Sequence, residues 1–128
     1  MTIALWCILA AALLPYAFTI AAKTGPRFTN KRPRDYLAAL DGWRQRAHWV
    51  QLNSFEGLPL FIGAVLTCHL VGGDQGNADA AALTYIAARV LYGFAYVTDR
   101  HLVRSLMWFI AMLANVALFV IAAQAPAA

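Results

Sequence analysis

The stretch Gly42–Phe61 reads GWRQRAHWVQLNSFEGLPLF. It opens charged and aromatic, then runs into an apolar segment that ends near Leu70. Asn53 and Glu56 lie inside that segment, about one helical turn apart. A carboxylate at membrane depth is costly, so it faces protein or water and takes a partner.

The rest of the chain makes membrane depth the relevant setting. Of 128 residues, 62% are hydrophobic and only 12% charged, and the mean hydropathy is +0.60. Soluble domains carry about a quarter charged residues. A membrane span needs roughly 20 apolar residues, so four spans with their loops nearly fill residues 1–128 and leave one domain. The expected spans are about 2–22, 46–71, 79–97 and 104–123. The first has no basic residue before it and is too long for the apolar core of a signal peptide, so it is expected to be retained. Pro15 and Pro59 are tolerated kink points. Asp79 is the expected N-cap of the third span.

Between the spans, Lys23–Asp41 is expected to be a loop. It carries Lys23, Arg27, Lys31, Arg32 and Arg34. Loops 23–45 and 98–103 hold Lys and Arg, whereas the loop Gly72–Ala78 holds neither. By the positive-inside rule the two basic loops are cytoplasmic and both termini lie on the other side. Short connections join antiparallel neighbours, so the expected fold is all-α, an integral membrane up-down four-helix bundle. The formal net charge of +4 then reports orientation, and no nucleic-acid partner is expected. Arg27 and Arg34 are candidates for bordering an anion-binding mouth. Cys7 and Cys68 lack metal-ligand spacing and read as small buried hydrophobes; no metal site is expected. His48 and His69 read as packing or interfacial residues. Gln51 points away from Asn53 and is expected to bond another helix or backbone.

At about 100° per residue, Tyr85, Arg89, Tyr92, Tyr96 and Arg100 fall in one sector of the third span. Arg46, Trp49, Asn53 and Glu56 share a face of the second. Glu56 lies about 15 Å, and Arg89 roughly 12 Å, from the cytoplasmic ends of their helices. The equal depths make them expected partners, within one subunit or across an interface. Such a pair can also be mere structural glue. With Asn53, the tyrosines and the mouth residues Arg100 and Arg104, the set suits a small zwitterion: arginines for carboxylates, a glutamate for an ammonium.

These residues resemble the MAPEG superfamily, the membrane-associated proteins in eicosanoid and glutathione metabolism. The family's Asn, with Glu three residues on and Pro and Phe following, is matched by Asn53, Glu56, Pro59 and Phe61. Its R-x-x-Y-x-x-x-Y pattern is matched by Arg89, Tyr92 and Tyr96. The last helix resembles the family's in the run RSLMW from Arg104 to Trp108. The resemblance implies a homotrimer that binds glutathione as co-substrate between subunits, in contact with membrane lipid and hydrophobic small-molecule substrates. It implies Arg104, with Arg100 as competitor, as stabiliser of the thiolate. Arg46, Asn53, Glu56, Arg89, Tyr92 and Tyr96 would hold glutathione. Trp49 stands where conjugating members usually carry arginine. The implied activity is a glutathione-dependent transferase or peroxidase acting in detoxification of hydrophobic electrophiles; the uninterrupted first helix and short chain lead to the expectation of a bacterial inner membrane. A non-catalytic lipid- or glutathione-binding scaffold of the same fold is the alternative, and a small transporter subunit ranks third.

Overall fold

A computed structural model describes residues 1–126; Ala127 and Ala128, the end of the uncharged tail, lie outside the described residues. Five helices follow in order: α1 Ile3–Ala22, α2 Pro33–Ala38, α3 Gly42–Leu70, α4 Gln75–Val97 and α5 His101–Ala123. No strand occurs among the described residues. The expected loop 23–41 therefore contains a helix. Pro33 starts it, because a first-turn proline gives up no needed N–H and already has helical φ.

By length and composition, α1, α4 and α5 are apolar enough to cross a membrane. Helix α3 is long enough but falls outside that group. Its first half carries Arg44, Arg46, His48, Gln51, Asn53 and Glu56, of which Asn53 and Glu56 belong to the site. Helices α3 and α4 pack on each other, and α1 and α5 each pack on both. The seam is built from small residues: Ala4, Cys7, Ala11, Ala64, Ala82, Ala88, Ala111 and Ala114 are buried. Small side chains let backbones approach closely where dispersion rather than water exclusion holds helices together. At Gly93 an added Cβ would fall 2.1 Å from the Phe18 ring, so α1 and α4 touch there only because the side chain is missing. Leucines and phenylalanines such as Leu13, Leu91, Phe94 and Leu113 point outward. Cys7 and Cys68 are both buried and free.

Helix ends differ from expectation in three places. Helix α3 begins at Gly42, not Arg46. Asp74, not Asp79, caps α4, its carboxylate accepting from the Asn77 N–H at 2.9 Å. Asp79 turns instead to α1, where its Oδ1 accepts from the Ala4 N–H at 2.7 Å and from Gln75 Nε2 at 2.6 Å. It therefore satisfies an orphan first-turn donor of another helix. Helix α5 begins at His101, not Arg104, with Arg100 as its N-cap.

The loops after α3 and after α4 use the same chain reversal. After α3, the Gly72 N–H donates to the His69 carbonyl and the Gly73 N–H to the Cys68 carbonyl, with Gly72 at φ +75°. After α4, the Asp99 N–H donates to Tyr96 and the Arg100 N–H to Ala95, with Asp99 at φ +60°. This double bond pattern ends a helix sharply and calls for a left-handed residue.

Candidate functional site

Arg89 anchors the site. It is 5% exposed, and its Nη2 donates to Asn53 Oδ1 at 2.9 Å and to Ser54 Oγ at 3.0 Å. Its guanidinium lies 4.2 Å from the centroid of the Tyr92 ring. The expected ion pair with Glu56 is not formed within the subunit. The single ion pair among the described residues joins Arg32 to Asp35 on the surface. Equal depth brought Glu56 and Arg89 to one cavity, but depth does not set lateral direction. Arg89 points at the neutral oxygens of α3, and Glu56 is left exposed on the chain's surface, accepting no hydrogen bond among the described residues.

Three recesses share their walls. The innermost, about 210 Å³, lies between α3, α4 and α5 and is lined by Asn53, Glu56, Tyr85, Arg89, Trp108 and Asn115, among others. A second, about 360 Å³, is lined by Trp49, Leu52, Asn53, Glu56, Tyr92 and Tyr96. A third, about 350 Å³, is lined by Tyr92, Tyr96, Arg104, Ser105, Trp108 and Phe109. Asn53 and Glu56 join the first to the second, and Tyr92 and Tyr96 join the second to the third. The result is one polar tract along the α3–α4–α5 side of the protein.

The tyrosine stripe of α4 appears as its spacing predicts for Tyr85, Arg89, Tyr92 and Tyr96. Tyr85 stacks on Phe61 at 3.9 Å between centroids, and Tyr92 meets Tyr96 edge-on at 5.6 Å. Arg100 leaves the stripe because α4 stops at Val97 and the chain reverses at Asp99. It lines a separate shallow recess with Asp99 and His101. Arg104, one turn into α5, returns to the tract with its guanidinium 4.6 Å from the Tyr96 centroid. Arg46 lies outside the three recesses. Its Nε donates to the Val97 carbonyl at 3.1 Å, where a cation suits the negative end of α4.

Other residues settle locally. Gln51 bonds within its own helix, its Oε1 3.3 Å from His48 Nδ1, rather than to another helix. Arg27 lines a recess of about 400 Å³ with Tyr36, Asp41 and Arg44, and Arg34 is exposed in α2. Four participants escaped sequence reasoning. Ser54 shares Arg89 with Asn53, although its neighbouring position puts it about 100° away on the helix. Ser105 and Trp108 line the tract beside Arg104. Asn115 is 4% exposed with an Oδ1 that finds no partner; an amide alone in the apolar run of α5 was the available signal.

Chemically, the tract sets two arginines, one unpaired carboxylate, two amides and three phenols beside apolar walls. That is a surface for a small zwitterion next to a lipid-soluble molecule. No curated protein matches the chain. The MAPEG family model matches residues 3–124, and with nearly its whole length so covered the chain belongs to the MAPEG family of membrane proteins.

Proposed function

We propose that this protein is a membrane-bound glutathione-dependent transferase or peroxidase acting on hydrophobic electrophiles. The observation that carries the reading is Arg104: it lines the recess of Tyr92, Tyr96, Ser105 and Trp108, contiguous with Asn53 and Glu56, whereas Arg100 does not. Glutathione, when bound, supplies a thiol whose ionised form is the nucleophile. A free thiol near pKa 8.5 is mostly protonated at neutral pH, so a fixed cation beside it raises the reactive fraction. Arg104 provides that cation. Glu56 receives the ammonium, and the Asn53–Arg89 pair holds the floor of the pocket. Trp108 and Phe109 border the path from the bilayer by which the electrophile arrives.

The working assembly in this reading is a homotrimer of four-helix bundles. Support comes from Glu56, an unpaired carboxylate exposed on a lone subunit in a membrane protein, which a neighbouring copy would cover. The loops 23–41 and 98–100 face the cytoplasm by their Lys and Arg content, and the membrane is the bacterial inner membrane.

The test is ultraviolet absorbance of thiolate on adding glutathione to the purified protein in detergent. A signal lost in Arg104→Ala and kept in Arg100→Ala is the expected result. Glutathione binding with no thiolate band would overturn the catalytic reading and leave a non-catalytic binding scaffold.

A further inference from the structure

Asn115 Oδ1 is the one buried side-chain polar atom among the described residues with no hydrogen-bond partner. A buried acceptor without a donor keeps its desolvation cost, so its place calls for an account. Asn115 is 4% exposed and lines the innermost recess. It stands eleven residues beyond Arg104, about 16 Å along α5, and Arg104 does not line this recess. Ala111 and Met112, one turn before Asn115, and Leu60 of α3 give this end of the recess an apolar wall.

Gly57 makes the room. It lies inside α3, where glycine weakens a helix relative to alanine. A Cβ there would meet only Tyr85 Oη, at an ordinary contact distance of 3.5 Å. No neighbour therefore requires glycine, and its missing side chain widens the recess. The far wall is rigid, because Tyr85 stacks on Phe61 at 3.9 Å between centroids.

We propose that this end of the recess binds a lipid-soluble phenol, a single ring bearing a hydroxyl. The hydroxyl donates to Asn115 Oδ1, and the ring packs against Leu60 and Met112, whose thioether favours aromatic edges. A hydrocarbon leaves the amide unpaired. A phenol O–H is also more acidic than that of an aliphatic alcohol, and so the stronger donor. The recess measures about 210 Å³, and about 150 Å³ suffices for benzene in an apolar cavity. The site stands on Asn115, Gly57 and their apolar neighbours and does not depend on thiol chemistry at Arg104.

Calorimetry on the purified protein in detergent tests it with p-cresol and anisole. These are isomers of one size, and only p-cresol has an O–H to donate. Cresol is expected to bind about tenfold more tightly, the worth of one hydrogen bond made to an otherwise unpaired buried group. Asn115→Leu is expected to remove that preference by weakening p-cresol, with anisole changed less than about twofold. Gly57→Leu puts a good helix former in the same helix and fills the space, so it is expected to abolish binding of both. With asparagine labelled in nitrogen-15, p-cresol is expected to shift the side-chain amide signal of Asn115 and to leave those of Asn30 and Asn77 in place. Equal affinities for the two probes in the parent protein, or p-cresol binding unchanged in Gly57→Leu, would overturn the proposal. Selective p-cresol binding in a protein that forms no thiolate with glutathione keeps this site and loses the thiol reading; a thiolate band without selective p-cresol binding does the reverse.

Discussion

Arg89 Nη2 donates to Asn53 Oδ1 at 2.9 Å, and this bond ties α4 to α3 inside the membrane protein. A buried guanidinium held by neutral oxygens is sensitive to their loss, because the orphaned charge keeps its desolvation cost. A double-mutant cycle of Asn53→Leu and Arg89→Leu is expected to show coupling of about 1–2 kcal/mol in detergent unfolding. The cycle of Glu56→Leu and Arg89→Leu is expected to be additive within roughly 0.5 kcal/mol, since those side chains share a cavity but not a bond. Strong coupling in the Glu56 cycle alone would place the ion pair between subunits.

Gly93 and Phe18 set the distance between α4 and α1. The Cβ of an alanine would meet the Phe18 ring at 2.1 Å, and the ring is itself packed edge-on against Phe94. Gly93→Ala is expected to cost about 1–3 kcal/mol by overpacking. Adding Phe18→Leu should return part of that loss. A thermal melt of the two variants checks it, and a Gly93→Ala protein as stable as the parent would mean that α1 is free to shift.

Much of this architecture was readable beforehand, and the limits have identifiable causes. The α4 stripe followed from a period that backbone geometry imposes, so Tyr85, Arg89, Tyr92 and Tyr96 fell where spacing put them. Arg100 did not, because the helix stop at Asp99 uses a residue other than glycine and carries no strong punctuation. The Glu56–Arg89 pair is absent within the subunit for another reason. Rise per residue gives depth, while the direction of a long, forked side chain depends on which neighbour offers oxygens. Asp79 was recognised as a cap, but the amide it caps, that of Ala4, lies 75 residues earlier in the sequence, a relation only the packing of α1 on α4 reveals. Residues 33–38 were expected to be loop because the basic run dominates their composition, yet Pro33 and the residues after it satisfy one turn and a half of helix.

The Asp79 bond to the Ala4 N–H predicts a local effect at the start of α1. Asp79→Ala is expected to cost about 1 kcal/mol, the usual worth of a cap, while Asp79→Asn keeps an acceptor and most of the stability. Hydrogen exchange of the Ala4 and Leu5 amides should accelerate in the first variant and change little in the second. Faster exchange spread evenly over the whole chain would instead indicate a global loss.

Asp99 offers the reverse case, a substitution that should stabilise. Its backbone sits at φ +60° to complete the reversal between α4 and α5, a conformation that glycine adopts without the Cβ conflict. The side chain is exposed and forms no ion pair, so little is lost with it. Asp99→Gly is therefore expected to raise stability by roughly 0.5 kcal/mol, after discounting the larger entropy of glycine in the unfolded chain. Asp99→Val is expected to destabilise by more than that, since a β-branched residue is strained at positive φ. The reversal also sets the direction in which α5 leaves, and with it the approach of Arg104 to Tyr96 at 4.6 Å. If the turn governs that approach, Asp99→Val should lower thiolate formation along with stability, and Asp99→Gly should leave it intact. Thermal unfolding and thiolate absorbance measured on the same samples decide the matter: a thiolate band unchanged in a destabilised Asp99→Val would show that α5 is positioned by its packing on α3 and α4 rather than by the turn.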